Sequence, residues 1–89
     1  MIKKDVMIEN KLGLHARAAA QIVKSASGYA SKITISKDGL DVDGKSIMGI
    51  MMLAAGKGSS VNIRAEGADE VEAIAELERL FKNKFGEKE

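Results

Sequence analysis

The sequence has no cysteine, no proline, no tryptophan and one histidine, His15. Without cysteine there is no disulfide framework, no thiol nucleophile and no thiolate metal site. With one histidine, no site inside one chain rests on two imidazoles, and neither metal nor cofactor is expected. Neither sign of charge dominates: fourteen basic and thirteen acidic residues leave +1, which does not mark a nucleic-acid binder. The longest apolar run, Ile50 to Ala55, is far below the ~20 residues that span a bilayer. Met1-Ile2-Lys3-Lys4-Asp5 opens with charge, and no apolar export signal follows. These absences lead us to expect a cytoplasmic protein without membrane insertion.

What is present fits one small soluble domain over residues 1–89, with 45% apolar and 30% charged residues. Such a chain buries roughly 60% of its unfolded surface. Residues 1–45 carry eight positive and five negative charges and residues 46–89 six and eight. That asymmetry is too small to define a partner.

The hydrophobic pattern changes period along the chain. Ile2 to Ile8 reads as a strand ending at Glu9-Asn10-Lys11. After Gly13 the period becomes helical, with Ala19, Ile22, Val23 and Ala26 on one stripe and Gly28 as a stop. Over residues 32–37 Ile33 and Ile35 face one way and Lys32, Thr34 and Ser36 the other. Asp38-Gly39 then marks a tight turn into Leu40 to Asp43, predicting a hairpin. Ser46 is a good N-cap for a short helix over 47–54. Val61, Ile63 and Ala65 alternate within 60–66. A last helix begins at Glu70, with Asp69 and Glu72 resembling a capping box. Its expected apolar side is Val71, Ile74, Leu77, Phe81 and Phe85, and Gly86 is its expected stop. The order βαββαβα predicts an α/β (α+β) two-layer sandwich: a four-stranded, mainly antiparallel sheet covered by three helices.

Four motifs invite a chemical reading. Gly39 to Ser46 matches the P-loop pattern G-x-x-x-x-G-K-[ST] letter for letter, but its middle alternates like a strand and carries two aspartates that would repel a triphosphate. We therefore expect no nucleotide there. His15 sits where a loop enters the helix beginning at Ala16, and the amides and dipole of a helix start favour an anion. Arg17 adds a guanidinium suited to phosphate oxygens, Gln21 and Lys24 continue the polar face, and the small Ala16, Ala18, Ala19 and Ala20 keep bulk away. That set can accept a phosphoryl group on a ring nitrogen. In the short helix, Ile47, Met48, Met51 and Met52 form one apolar stripe while Ile50, Leu53 and Ala54 form another. A short helix apolar nearly all round either is buried or meets a partner, and methionine suits the second. Ser46 serves as a cap, and a phosphate on it would set a dianion beside the methionines.

Gly13-Leu14-His15-Ala16-Arg17-Ala18-Ala19 resembles the active-site signature of the histidine-containing phosphocarrier (HPr) family of the bacterial phosphotransferase system. Gly44-Lys45-Ser46-Ile47-Met48-Gly49-Ile50-Met51 resembles its regulatory-serine signature, and the likeness covers nearly the whole chain. The resemblance implies an open-faced β-sandwich with strand order 1-4-2-3. It implies a monomeric carrier, not an enzyme with turnover of its own. Enzyme I, charged by phosphoenolpyruvate, would phosphorylate His15 on Nδ1, and the group would pass to the IIA domain of a sugar permease. Arg17 and the backbone amides of Ala16 and Arg17 would hold the phosphate. Gln21, Lys24, Ile47, Met48, Met51 and Met52 would meet the partners. An HPr kinase/phosphorylase would act at Ser46, with a transcriptional regulator as further partner. One departure stands out: the family usually has proline where this chain has Ala18. That leaves open a regulatory adaptor, or a nitrogen-type phosphorelay relative, acting through Ser46 and the Ile47/Met48/Met51 surface. Because the missing ring carries no chemistry, Ala18→Pro is expected to change the transfer rate from enzyme I by less than about tenfold, or ~1.4 kcal/mol in barrier. Parallel rate measurements on the two chains check this.

Overall fold

The computed structural model describes residues 1–88. Strand β1 (Ile2–Met7) leads through a loop to helix α1 (Ala16–Ser27), then to β2 (Lys32–Lys37) and β3 (Leu40–Asp43). Helix α2 (Ile47–Met52), strand β4 (Ser60–Glu66), helix α3 (Glu70–Lys82) and a 3₁₀ turn (Lys84–Gly86) complete it. The strands lie in the order β1-β4-β2-β3, and all three pairings are antiparallel. The expected two-layer sandwich and strand order are what the chain adopts.

The alternation in each strand decides which face is dry. Val6 pairs with Val61, Ile35 with Ile63 and Ile33 with Ala65, and all six are buried. Against them pack Ala18, Ala19, Ile22 and Ala26 of α1, Ile50 of α2 and Ala73, Ile74, Leu77 and Phe81 of α3. The opposite face carries Lys3, Asp5, Thr34, Ser36, Asn62 and Arg64 and stays wet. There Arg64 bridges to Asp41 at 2.7 Å and donates to the Ser36 hydroxyl at 3.0 Å. The β2–β3 hairpin turns at Asp38 and Gly39, both with positive φ (50° and 84°), as the Asp-Gly pair predicts.

Several local expectations give way to tertiary demands. Helix α2 stops at Met52, two residues early, with Leu53 as its C-cap and Ala54 at φ 49°. Ala54 is the left-handed residue, and the next carbonyl, that of Ala55, accepts from Leu14 N at 2.9 Å. Val71 is exposed, and Ala73 takes its place in the core. At about 100° per residue Val71 lies roughly 120° around the helix from Leu77, off the buried stripe.

The capping box at Asp69 does not form. The Asp69 carboxylate accepts from the amides of Ala30 (2.8 Å) and Ser31 (2.9 Å) and from the Ser31 hydroxyl, so it secures the entry to β2. Glu70 instead accepts from Gly67 N at 3.2 Å. The bond from the Ser31 hydroxyl, then that from Ala30, holds the Asp69 carboxyl below the usual range.

The last helix ends at Lys82, before Phe85 and Gly86. Lys84, Phe85 and Gly86 all have positive φ (53°, 55° and 78°). A left-handed phenylalanine is costly, about 1–2 kcal/mol on steric grounds. It is held because its ring is buried and meets Phe81 edge-on, centroids 5.0 Å apart at 64°.

Candidate functional site

The loop before α1 is fixed to the segment after α2. Gly13 has φ +67°, and a Cβ there would stand 2.5 Å from the Ala55 carbonyl oxygen. Only glycine allows that approach, which lets Leu14 N donate to Ala55 O at 2.9 Å. Leu14 is buried, and the chain then delivers His15 to the N-cap of α1 in extended conformation, φ −76° and ψ 179°.

His15 itself is the cap. Its Nδ1 accepts from Arg17 N at 3.2 Å. Its Nε2 lies 2.7 Å from Glu87 Oε2. The other carboxylate oxygen, Oε1, accepts from the Asn10 amide at 3.2 Å, and the same amide group donates to Gly13 O at 2.8 Å. The hydrogen bond from His15 holds the Glu87 carboxyl below its usual range despite opposing burial, with Asn10 and the charge of Arg17 assisting. An ionised carboxylate only accepts and a backbone N–H only donates. The neutral Nε2–H tautomer satisfies both bonds and leaves the Nδ1 lone pair facing the helix start, beside the exposed Arg17. The ring is thus aligned at one nitrogen and carries its lone pair on the other.

Glu87 is the contact of His15 that sequence reasoning missed. It lies 72 residues from His15, and no spacing rule connects them. The left-handed turn at 84–86 delivers it, secured by Gln21, whose side-chain amide donates to Phe85 O at 3.0 Å. Gln21 is therefore partly committed within the chain. Lys24 and Ala16 are exposed, while Ala18 is buried.

The second signature forms a separate patch on the same tied framework. Ser46 Oγ accepts from Gly49 N at 3.1 Å, the cap expected of it. Ile50 and Leu53 point inward, whereas Ile47 (41%), Met48 (74%), Met51 (43%) and Met52 (66%) are exposed. The P-loop match dissolves here. Residues 40–43 are strand β3. A Cβ on Gly44 would lie 2.4 Å from Ile33 Cγ2, so that glycine makes room for the core. Lys45 Nζ is bonded to Tyr29 O at 2.9 Å. Among the described residues, no group of three His, Cys, Asp or Glu side chains is placed to hold a metal, and no helix is long and apolar enough to cross a membrane.

An open-faced sandwich presenting one aligned imidazole at a helix N-terminus is an arrangement that can take up an anion. Residues 2–83 match the family described as the PTS HPr component phosphorylation site. The chain is 51% identical, over the full length of both, to the phosphocarrier protein HPr of Cupriavidus necator. It superposes on the crystal structure of HPr-C-His from Thermoanaerobacter tengcongensis with a TM-score of 0.96 at 48% identity, each chain covered completely. The crystal structure of the HPr dimer from the same organism matches with a TM-score of 0.79 at 49% identity, covering 98% of this chain and 100% of that one. The chain belongs to the HPr phosphocarrier family.

Proposed function

We propose that this single-domain chain carries phosphoryl groups on His15 Nδ1, taking them from enzyme I and passing them to the IIA domain of a sugar permease in the cytoplasm. The observation that supports this reading most is the pair of bonds on the imidazole, from Arg17 N to Nδ1 and from Nε2–H to Glu87. In the accepting step the Nδ1 lone pair forms the N–P bond as phosphorus leaves its donor atom. No proton need leave the ring, because Nε2 already holds it. Arg17 N and Ala16 N then turn to phosphate oxygens, with the guanidinium of Arg17 beside them. The ring gains positive character, which the Glu87 carboxylate offsets. Docking supplies proximity, so the chain needs no turnover of its own. Ile47, Met48, Met51 and Met52, with Gln21 and Lys24 alongside, provide the surface for both partners. The chain acts as a monomer.

Regulation belongs to the same reading. An HPr kinase/phosphorylase phosphorylates Ser46, and a transcriptional regulator reads the product. A phosphate on Ser46 forfeits the free hydroxyl cap and sets a dianion against the apolar patch. Ala18 in place of the usual proline favours, as a second reading, a regulatory phosphorelay or adaptor using Ser46 and the Ile47/Met48/Met51 surface.

Incubation with enzyme I and labelled phosphoenolpyruvate tests the carrier. An acid-labile, alkali-stable label on His15 is expected, and its absence overturns the reading.

Glu87 provides a finer check. Glu87→Gln keeps an acceptor for Nε2–H but loses the charge, and is expected to slow acceptance about tenfold without slowing onward transfer. Because the Glu87 carboxyl is lowered from 4.5, its contribution to stability is present above that value and is lost as pH falls through the lowered one. Acid titration of the variant is expected to show a shallower loss below about pH 4.5 than the parent.

A further inference from the structure

We propose that Met48, Met51 and Met52 form an oxidation-sensitive modification site, through which a hydroperoxide uncouples docking from the chemistry at His15. The inference rests on the carrier reading and on α2 as its docking surface. The six residues of α2 include three methionines, and all three are exposed, at 74%, 43% and 66%. Their spacing, i, i+3 and i+4, makes them neighbours on the helix surface. The chain has no cysteine, so thioethers are its only sulfur and no thiolate competes for oxidant.

The helix is built so that its outer surface can change without its backbone giving way. Ile50 is fully buried and Leu53 is 4% exposed. Ser46 Oγ caps the first turn, and Gly49 packs so closely that a Cβ would stand 3.3 Å from Val42 Cβ. None of these contacts involves a methionine sulfur. The two remaining methionines, Met1 and Met7, are also exposed, but they flank the other end of the sheet at β1, the edge opposite β3. They serve as internal controls.

In the reaction, a sulfur lone pair attacks one oxygen of hydrogen peroxide. An S–O bond forms, the O–O bond breaks, and the departing hydroxide takes the remaining proton and leaves as water. The thioether is oxidised by two electrons to the sulfoxide, and the peroxide is reduced. Sulfoxide reductases reverse this with a dithiol, giving a disulfide and water. A flexible apolar side chain becomes polar and chiral. Covering its oxygen with a dry partner surface leaves an acceptor without a donor.

The experiment treats the whole chain with dilute hydrogen peroxide, removes the peroxide, maps sulfoxides by peptide mass, and follows phosphoryl transfer from enzyme I over a range of chain concentrations. With the three α2 methionines oxidised, KM for the chain is expected to rise by about tenfold or more while kcat stays within about twofold. Methionine sulfoxide reductases A and B together restore it. In the triple variant Met48→Leu, Met51→Leu, Met52→Leu, peroxide is expected to leave that variant's own KM unchanged, although Met1 and Met7 still oxidise. An unchanged KM in the oxidised parent overturns the proposal. So does a matching rise in the triple variant, a fall in kcat alone, or loss of the folded circular dichroism spectrum. If the untreated chain accepts no label, the carrier reading itself has failed.

Discussion

His15→Asn is expected to leave the chain folded and unable to accept a phosphoryl group. Asparagine is among the best N-cap residues, so its side-chain oxygen can take over the bond that His15 Nδ1 accepts from Arg17 N. What disappears is the nucleophilic nitrogen. Removing a nucleophile that works as one unit with its aligning group costs on the order of 10⁶ in rate, which in a labelling assay reads as no label. His15→Ala gives the same blank chemically but also strips the cap, at about 1 kcal/mol. The pair of variants therefore separates chemistry from stability: equal loss of label, with a lower melting temperature for the alanine. Label retained in the asparagine variant would move the phosphoryl acceptor elsewhere and end the carrier reading.

Phe85→Ala is expected to cost about 3–5 kcal/mol, the range for truncating a buried aromatic. Phe85 is 2% exposed, and its ring meets Phe81 edge-on. Against a total stability of about 5–15 kcal/mol, the loss lowers the melting temperature by roughly 12–40 °C, at about 4–8 °C per kcal/mol for a chain of this size. Its functional effect is larger than a remote core substitution would give. The buried ring holds the left-handed turn that places Phe85 O on Gln21 and Glu87 on His15. Acceptance from enzyme I, measured well below the melting temperature, is expected to fall about as far as in Glu87→Gln. Phe85→Leu, which keeps most of the apolar volume, is expected to recover most of both losses. If acceptance in Phe85→Ala is unchanged while stability falls, the turn is a packing device only.

The parts of this fold legible in the sequence are those decided within a few residues. Ile33, Thr34 and Ile35 alternate because one face of β2 is dry, and Asp38-Gly39 turns left-handed because those residue types tolerate it. Ser46 caps because its hydroxyl reaches an amide three residues on. His15 and Arg17 were visible as a pair for the same reason. What escaped was decided by contacts far along the chain. Asp69 looked like a helix cap, but two amides and a hydroxyl at Ala30 and Ser31 offered it more bonds. Ala54 and Phe85 adopt conformations their residue types disfavour, Ala54 beside a carbonyl that accepts from Leu14 N and Phe85 with its ring buried. Val71 was a matter of helix phase and was countable from the sequence. Glu87 had no local signal, since its meaning depends on a turn that propensity argues against. The P-loop pattern erred the other way: its glycine, lysine and serine were all present, yet each was already committed to core packing, to Tyr29 and to α2.

The contact between His15 and Glu87 also has a consequence in time. A chain synthesised from its N-terminus presents the imidazole long before residue 87 exists, and the aligning bond closes a loop of 72 residues. Until that closure nothing on Glu87's side selects the tautomer, and the ring is one more histidine on a half-made surface. A chain without residue 87 would carry the family's signature and, on the proposed reading, is expected to accept a phosphoryl group more slowly.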